Sequence, residues 1–185
     1  MIRTERLLLR GWRDDDVAPF LALCTDPEVM RYFPAVMTLE QVEEFVDRHR
    51  RLLEEGQPGL FAVDLADSGE LIGFVGLAVP QHPLPFQPCV EIGWRLARPA
   101  WGNGYATEAA RASLRHGFEA LGLDEVVSFT AVVNVPSQQV MRRIGMHRDP
   151  REDFDHPALP RGHELSRHVL YRIGAREWRW SQAAR

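Results

Sequence analysis

The chain has 185 residues, a formal net charge of −4, a 45% apolar share and a 26% charged share. These values describe one ordinary folded domain with a sizeable core and no global attraction to nucleic acid. The N-terminus opens with charges, and no apolar run approaches the roughly 18 residues that span a bilayer, so a cytoplasmic protein without a membrane partner is expected. Cys24 and Cys89 form no Cys-x-x-Cys pair, and two reduced thiols are the simpler reading.

In chain order, residues 3–11 have strand character. Asp14, Asp15 and Asp16 offer capping carboxylates ahead of Val17, Phe20, Leu21 and Leu23. Thr38 starts a clearer helix, with Gln41 placed for a capping box, running to Glu55 and stopping at Gly56. Residues 60–65 and 71–79 read as two strands joined at Asp67-Ser68-Gly69. Residues 80–88 are proline-rich and cannot form a central strand. Residues 89–97 alternate as a strand, and a helix is expected from Tyr105 to Leu121. Residues 125–133 are nearly continuously apolar, as in a strand buried on both faces. Pro136 opens a short helix ending at Gly145. Residues 169–173 form an edge or near-edge strand, and residues 178–185 are expected to fray. The sum is one α/β domain over residues 1–185, with a central mixed, mostly antiparallel twisted sheet of about six or seven strands flanked by helices.

Residues 90–118 carry the strongest signal, a strand, a glycine turn and a helix. The first N–H groups of a helix lack internal partners and carry partial positive charge. Gly102 and Gly104 let the backbone approach a phosphate, and Ala106 is small enough for a ligand to lie against the first turn. Thr107 stands where a dinucleotide fingerprint needs its third glycine, and no Gly-Lys-Ser/Thr ending of an NTPase loop is present. Taken alone, Gly-x-Gly also fits a tight strand-to-helix turn. His156, His163 and His168, with Asp155, fit no familiar zinc spacing, so no metal is expected.

The runs Glu91-Ile92-Gly93-Trp94 and Trp101-Gly102-Asn103-Gly104-Tyr105-Ala106-Thr107-Glu108-Ala109 resemble the GNAT N-acetyltransferases. They are nearest the branch related to ribosomal-protein N-terminal acetyltransferases. Gly104 and Ala106 match the last fixed positions of that family's Gln/Arg-x-x-Gly-x-Gly/Ala pattern, while Trp101 departs from its first. Asn134-Val135-Pro136-Ser137, followed by Ile144-Gly145-Met146, resembles the family's Asn-x-x-Ser helix. The resemblance implies acetyl-CoA as cosubstrate, lying where the sheet splays between its fourth and fifth strands. Its expected contacts are Trp94, Arg95, Leu96, the turn Trp101 to Thr107, Asn134 and Ser137, and Arg142 on the helix after Asn134 is a further candidate for the phosphates, with a solvent-facing arginine as its bland alternative. Asn134 and Ser137 could equally end the strand and cap the helix.

The implied reaction is direct attack of a primary amine on the thioester. Glu91 is the candidate proton acceptor, with structural pairing to Arg95 or another strand as its bland alternative. Backbone N–H groups around Trp94 to Leu96 would stabilise the oxyanion, and Ser137 or Tyr171 would protonate the thiolate. A non-catalytic acyl-CoA-binding regulatory module is the rival reading. The acceptor is left open between a protein N-terminus, a polyamine, an amino acid and a drug, and a homodimer is compatible with the sequence.

Overall fold

The computed structural model describes residues 1–160 and 162–183. Its strands are β1 (Ile2–Arg3), β2 (Leu7–Arg10), β3 (Leu60–Leu65), β4 (Leu71–Ala78), β5 (Glu91–Leu96), β6 (Glu125–Ala131), β7 (His147–Arg148), β8 (Phe154–Asp155) and β9 (Arg167–Gly174). They form one sheet in the order β1-β2-β3-β4-β5-β6-β9-β7, with β8 also against β9. Every pairing is antiparallel except β5 with β6, which is parallel. A parallel pair needs a crossover, and the helix α4 (Tyr105–Arg115) supplies it. The β5–β6 pairing is registered at a single position, Glu91 with Val127, beyond which the strands part. The expected splay is therefore present, and the mixed, mostly antiparallel sheet is as read from the sequence.

Helices α1 (Val17–Cys24), α2 (Pro27–Met30) and α3 (Leu39–Glu54) cover one face of the sheet. Phe20 and Phe45 meet Phe74 of β4 there, with ring centroids 5.9 and 5.1 Å away. On the opposite face, Ala109, Ala110 and Leu114 of α4 pack on Ile92 and Leu96 of β5. The α3 capping box forms as expected: Thr38 Oγ1 accepts from Gln41 N at 3.3 Å, and Gln41 Oε1 accepts from Thr38 N at 2.9 Å.

Four expectations are corrected. Asp14–Asp16 is a short 3₁₀ turn, and Asp16 is buried in an ion pair with Arg10. Helix α4 ends at Arg115, and one π-helical turn, His116–Ala120, carries the chain on to Leu121. Strand β6 stops at Ala131, leaving Val132 and Val133 exposed, because the chain turns there into α5 (Val135–Arg143). Residues 175–183 do not fray: they form α6 (Ala175–Ala183), whose Trp178 is buried with its ring 5.4 Å from that of Phe118. Ala184 and Arg185 lie outside the described residues. The last strand is near-edge, with β6 on one side and only the two-residue β7 and β8 on the other.

Candidate active site

The glycine turn joins β5 to α4. Gly102 and Gly104 both adopt left-handed conformations, with φ of 77° and 80°. A side chain would be strained at either position. A Cβ on Gly102 would meet nothing within 4 Å, so the turn presents bare backbone. Gly104 is the N-cap of α4 and provides no side-chain cap, leaving the first N–H groups, those of Tyr105, Ala106 and Thr107, without a side-chain acceptor. Trp101 reaches back through Nε1 to the carbonyl of Leu96 at 2.7 Å, tying the end of β5 to the turn. Asn103 uses its amide on the Trp101 carbonyl at 3.0 Å.

Residues near the N-terminus brace this turn. Arg6 donates from Nη1 to the Asn103 carbonyl at 2.9 Å, and its guanidinium lies 4.8 Å from the Tyr105 ring centre. The same arginine binds Glu108 of α4 at 2.6 Å. Thr4 Oγ1 donates to Glu108 Oε1 at 2.6 Å, and so does the Arg6 backbone N–H at 2.9 Å. Burial tends to raise the Glu108 carboxyl, but these hydrogen bonds outweigh it and hold the group below its ordinary value. Glu108 falls within the run that carries the family resemblance, but nothing in the local pattern shows that Thr4 and Arg6, about a hundred residues earlier, meet it.

The splay has a defined polarity. The Val90 carbonyl accepts from Val127 N at 2.9 Å, and the Ile92 carbonyl from Ser128 Oγ at 2.9 Å, so even-numbered peptide groups of this strand face β6. Ala97 N instead donates to Ile72 of β4, at 2.8 Å. The N–H groups of Trp94 and Leu96 therefore point into the opening, where no β6 register continues. Arg95 departs from the expected set, since its N–H is turned toward β4.

Odd-numbered side chains of β5 project to the face covered by α1, α2 and α3. Gly93 has nothing within 4 Å of a built Cβ, so a gap separates Glu91 from Arg95. Glu91 is enclosed yet keeps some accessible surface, and among the described residues it has no ion-pair partner. Burial alone pushes its carboxyl up to about 7. The alternative of a Glu91–Arg95 ion pair is not realised. The Arg95 Nη1 instead faces Cys24 Sγ at 3.2 Å and Met37 Sδ at 3.1 Å. Beyond β5, an open cleft of about 400 Å³ is bounded by Asp26, Arg98 and Pro99.

On the far side of the opening, Asn134 is the buried N-cap of α5. Its Oδ1 accepts from Ser137 N at 3.3 Å, and its Nδ2 donates to Ser137 Oγ at 3.1 Å and to Thr130 Oγ1 at 2.9 Å. The cap is thus Asn134 itself, and the Ser137 hydroxyl is left partly exposed. Tyr171 is buried beneath α5, where its hydroxyl accepts from Arg142 Nε at 3.2 Å and donates to Gln138 Oε1 at 3.4 Å. Arg142 directs its hydrogen bonds to Tyr171 and Gln138, not to the glycine turn.

Among the described residues, no group of three or more His, Cys, Asp or Glu side chains is placed to hold a metal. The His156 and His168 rings lie tilted with centroids 4.9 Å apart, in an aromatic cluster with Phe129 and Phe154. Among the described residues, no helix is long and apolar enough to cross a membrane.

Residues 6–147 match the family model described as an acetyltransferase (GNAT) domain. The chain belongs to the GNAT acetyltransferases. It is 33% identical over 178 residues to the uncharacterized N-acetyltransferase YnaD of Bacillus subtilis strain 168, covering 96% of this chain and 98% of that one. It is 32% identical over 164 residues to the FsC-acetyl coenzyme A-N(2)-transacetylase of Aspergillus fumigatus, covering 85% and 69%. The crystal structure of a GNAT-family acetyltransferase from Bacillus anthracis superposes with a TM-score of 0.77 at 31% identity, covering 95% of this chain and 98% of that one. Acetyl-CoA-dependent acetyl transfer is the activity these comparisons support. The bare turn at Gly102 and Gly104, the uncapped start of α4 and the open edge of β5 fit that cosubstrate.

Proposed function

We propose that this acetyltransferase moves the acetyl group directly onto a primary amine, with Glu91 as the proton acceptor. One observation carries the reading: a carboxyl with no ion-pair partner among the described residues stands beside the empty space at Gly93, on the strand whose free N–H groups face the splay. Bound acetyl-CoA would supply an electrophilic thioester carbonyl and a thiolate leaving group. The turn residues 101–107 would hold its pyrophosphate on backbone N–H groups. The acceptor reaches neutral pH as an ammonium and must lose a proton before its nitrogen can form the new C–N bond. Glu91, ionised in part near pH 7, is suited to take that proton directly or through water.

The N–H groups of Trp94 and Leu96 are positioned to donate to negative charge on the carbonyl oxygen. As the C–S bond breaks, the departing sulfur needs a proton. The Ser137 hydroxyl supports that role because it is partly exposed at the start of α5, whereas the Tyr171 hydroxyl is engaged below it. A protein N-terminus is one acceptor this reading includes, following the resemblance to the ribosomal-protein branch. The similarity to the A. fumigatus FsC-acetyl coenzyme A-N(2)-transacetylase supports amine acceptors of other kinds.

The test is release of CoA thiol from acetyl-CoA against a panel of peptides, polyamines, amino acids and aminoglycosides. Turnover with at least one amine is expected. Tight acetyl-CoA binding with no turnover on any of them would favour an acyl-CoA-binding module instead.

A further inference from the structure

Two interior arginines of the sheet differ in how their charge is met. Arg10 is clamped between carboxylates, with Nη1 2.6 Å from Asp16 Oδ2 and Nε 2.5 Å from Asp64 Oδ2. Arg95 is half-buried, yet no carboxylate lies within ion-pair distance among the described residues. Its Nη1 meets only the sulfurs of Cys24 and Met37, which are weak acceptors. Its Nε is buried with no hydrogen-bond partner. The guanidinium lies 4.1 Å from the ring centre of Phe33 and 5.4 Å from that of Phe74. Aromatic faces attract a cation but supply no hydrogen-bond acceptor in the plane of the guanidinium. Cys24 cannot neutralise it, because burial raises the thiol's pKa despite the nearby arginine.

A guanidinium does not discharge itself by losing a proton, so an uncompensated positive charge is held in this recess. Such a charge lowers stability unless a partner arrives. The recess is also where the reaction needs its acceptor. Arg95 shares a face with Glu91, and Gly93 leaves open space between them. At about 3.3 Å per residue, their Cα atoms are roughly 13 Å apart. Flexible side chains closing on the gap from both ends leave room for a small molecule bearing two polar ends.

Resting on the amine-acetylation reading above, we infer that the acceptor carries an anionic group as well as its amine, and that the Arg95 guanidinium receives that anion. The planar fork of arginine suits a carboxylate or a phosphate, and both share the same in-plane oxygen chemistry. The acceptor class is then an amino acid or a related amphoteric amine. A polyamine, bearing only positive charge, would be repelled by the same residue.

The test uses one amine in matched forms: the free amino acid, its carboxamide and its aminophosphonate. kcat/KM is measured for the wild type, Arg95→Met and Arg95→Lys, with calorimetric acetyl-CoA affinity as control. The wild type should prefer an anionic form over the amide by tenfold or more. Arg95→Met should abolish that preference with acetyl-CoA affinity retained, and Arg95→Lys should keep part of it. The carboxylate and phosphonate arms identify which anion fits. An amide that equals both anions in the wild type, or a preference that survives Arg95→Met, overturns the inference while leaving amine acetylation intact. If no form is turned over, binding of the same compounds to CoA-saturated protein decides. Anion-dependent binding lost in Arg95→Met supports the site even though amine acetylation has failed, and its absence overturns the site. Should Arg95→Met fail to fold, Arg95→Lys carries the comparison, and an unchanged anion preference there overturns the inference.

Discussion

Glu91 and Arg95 project from the same face of β5, and no salt bridge joins them. Opposite charges four positions apart on one strand face are separated by the open space at Gly93, which has nothing within 4 Å of a built Cβ. A fold built only for stability would close that gap or neutralise both ends, as it does where Arg10 meets Asp16 and Asp64. Here, among the described residues, neither end has an ion-pair partner, and both retain accessible surface. The arrangement keeps a base and a cation ready for a ligand, at a cost in stability that the ligand removes.

The first prediction follows from Glu91. Its carboxyl is raised to about 7 by burial, so the base form grows in as pH rises through that value. On a verified substrate, kcat/KM should climb through this window in the wild type. Glu91→Gln should lower kcat by roughly 10²–10⁴-fold and erase the acidic limb. Stability moves the opposite way. A raised carboxyl favours the folded state most below the ordinary carboxylate range and loses that advantage as pH rises toward 7. At pH 8 the Gln variant should therefore melt higher, by roughly 1–3 kcal/mol of unfolding free energy. Full retention of kcat with the same pH profile would make Glu91 structural.

Gly104→Val tests the turn. The residue sits at φ 80°, and a Cβ there would come 3.6 Å from Arg6 Nη2. A β-branched side chain would force the backbone out of the left-handed region and crowd the start of α4. Acetyl-CoA affinity should drop tenfold or more, about 1.4 kcal/mol, in calorimetry. Unchanged affinity in a folded variant would remove the pyrophosphate from this turn.

A third prediction concerns the brace at Glu108. Its carboxylate collects hydrogen bonds from Thr4 and Arg6 at 2.6–2.9 Å. Glu108→Gln should raise the KM for acetyl-CoA severalfold with a smaller change in kcat, because Arg6 also holds the Asn103 carbonyl of the turn. It should lower stability by about 1 kcal/mol, since Arg6 is substantially solvated. Because Glu108 lies below its ordinary pKa, its contribution is complete at neutral pH and lost as pH falls through the depressed value. The variant's stability should thus approach that of the wild type in acid. A KM that does not move would leave Glu108 as a tether of the first strands alone.

Local chemistry was legible in the sequence, and long-range pairing was not. The α3 capping box reads directly from Thr38 and Gln41, and Gly-x-Gly before an apolar helix predicts left-handed turn residues. The splay was implied by family resemblance, not by pattern. Asp16 looked like a helix cap because its partner, Arg10, and their shared neighbour Asp64 meet only once the sheet forms. Trp178 looked like part of a loose tail because nothing local shows that Phe118 waits for it. Val132 and Val133 mislead in the other direction: apolar residues extend the strand pattern past the point where the backbone turns into α5. Glu91 was a visible candidate, but its isolation from Arg95 depends on where Cys24 and Met37 draw the guanidinium.

The last prediction separates Ser137 from Tyr171. Both were candidates for protonating the leaving sulfur, and both stand near α5. The Ser137 hydroxyl accepts from Asn134 Nδ2 at 3.1 Å, which leaves its own proton free to be donated. The Tyr171 hydroxyl is buried, with its proton directed to Gln138 Oε1 at 3.4 Å and its lone pair facing Arg142 Nε at 3.2 Å. Ser137→Ala should therefore lower kcat while leaving the KM for acetyl-CoA close to its wild-type value. Its stability should change little, because the cap on α5 is the Asn134 side chain and the Ser137 backbone N–H survives the substitution. Asn134→Ala is the contrasting control, expected to lose about 0.5–2 kcal/mol of stability with the cap. Tyr171→Phe should cost about 1 kcal/mol of stability by removing one hydrogen bond each from Arg142 and Gln138, with kcat nearly intact. Steady-state kinetics and thermal melts of the three variants decide the matter. If the larger kcat loss falls on Tyr171→Phe in a folded protein, the proton comes from the tyrosine, and Ser137 serves only to steady the start of α5.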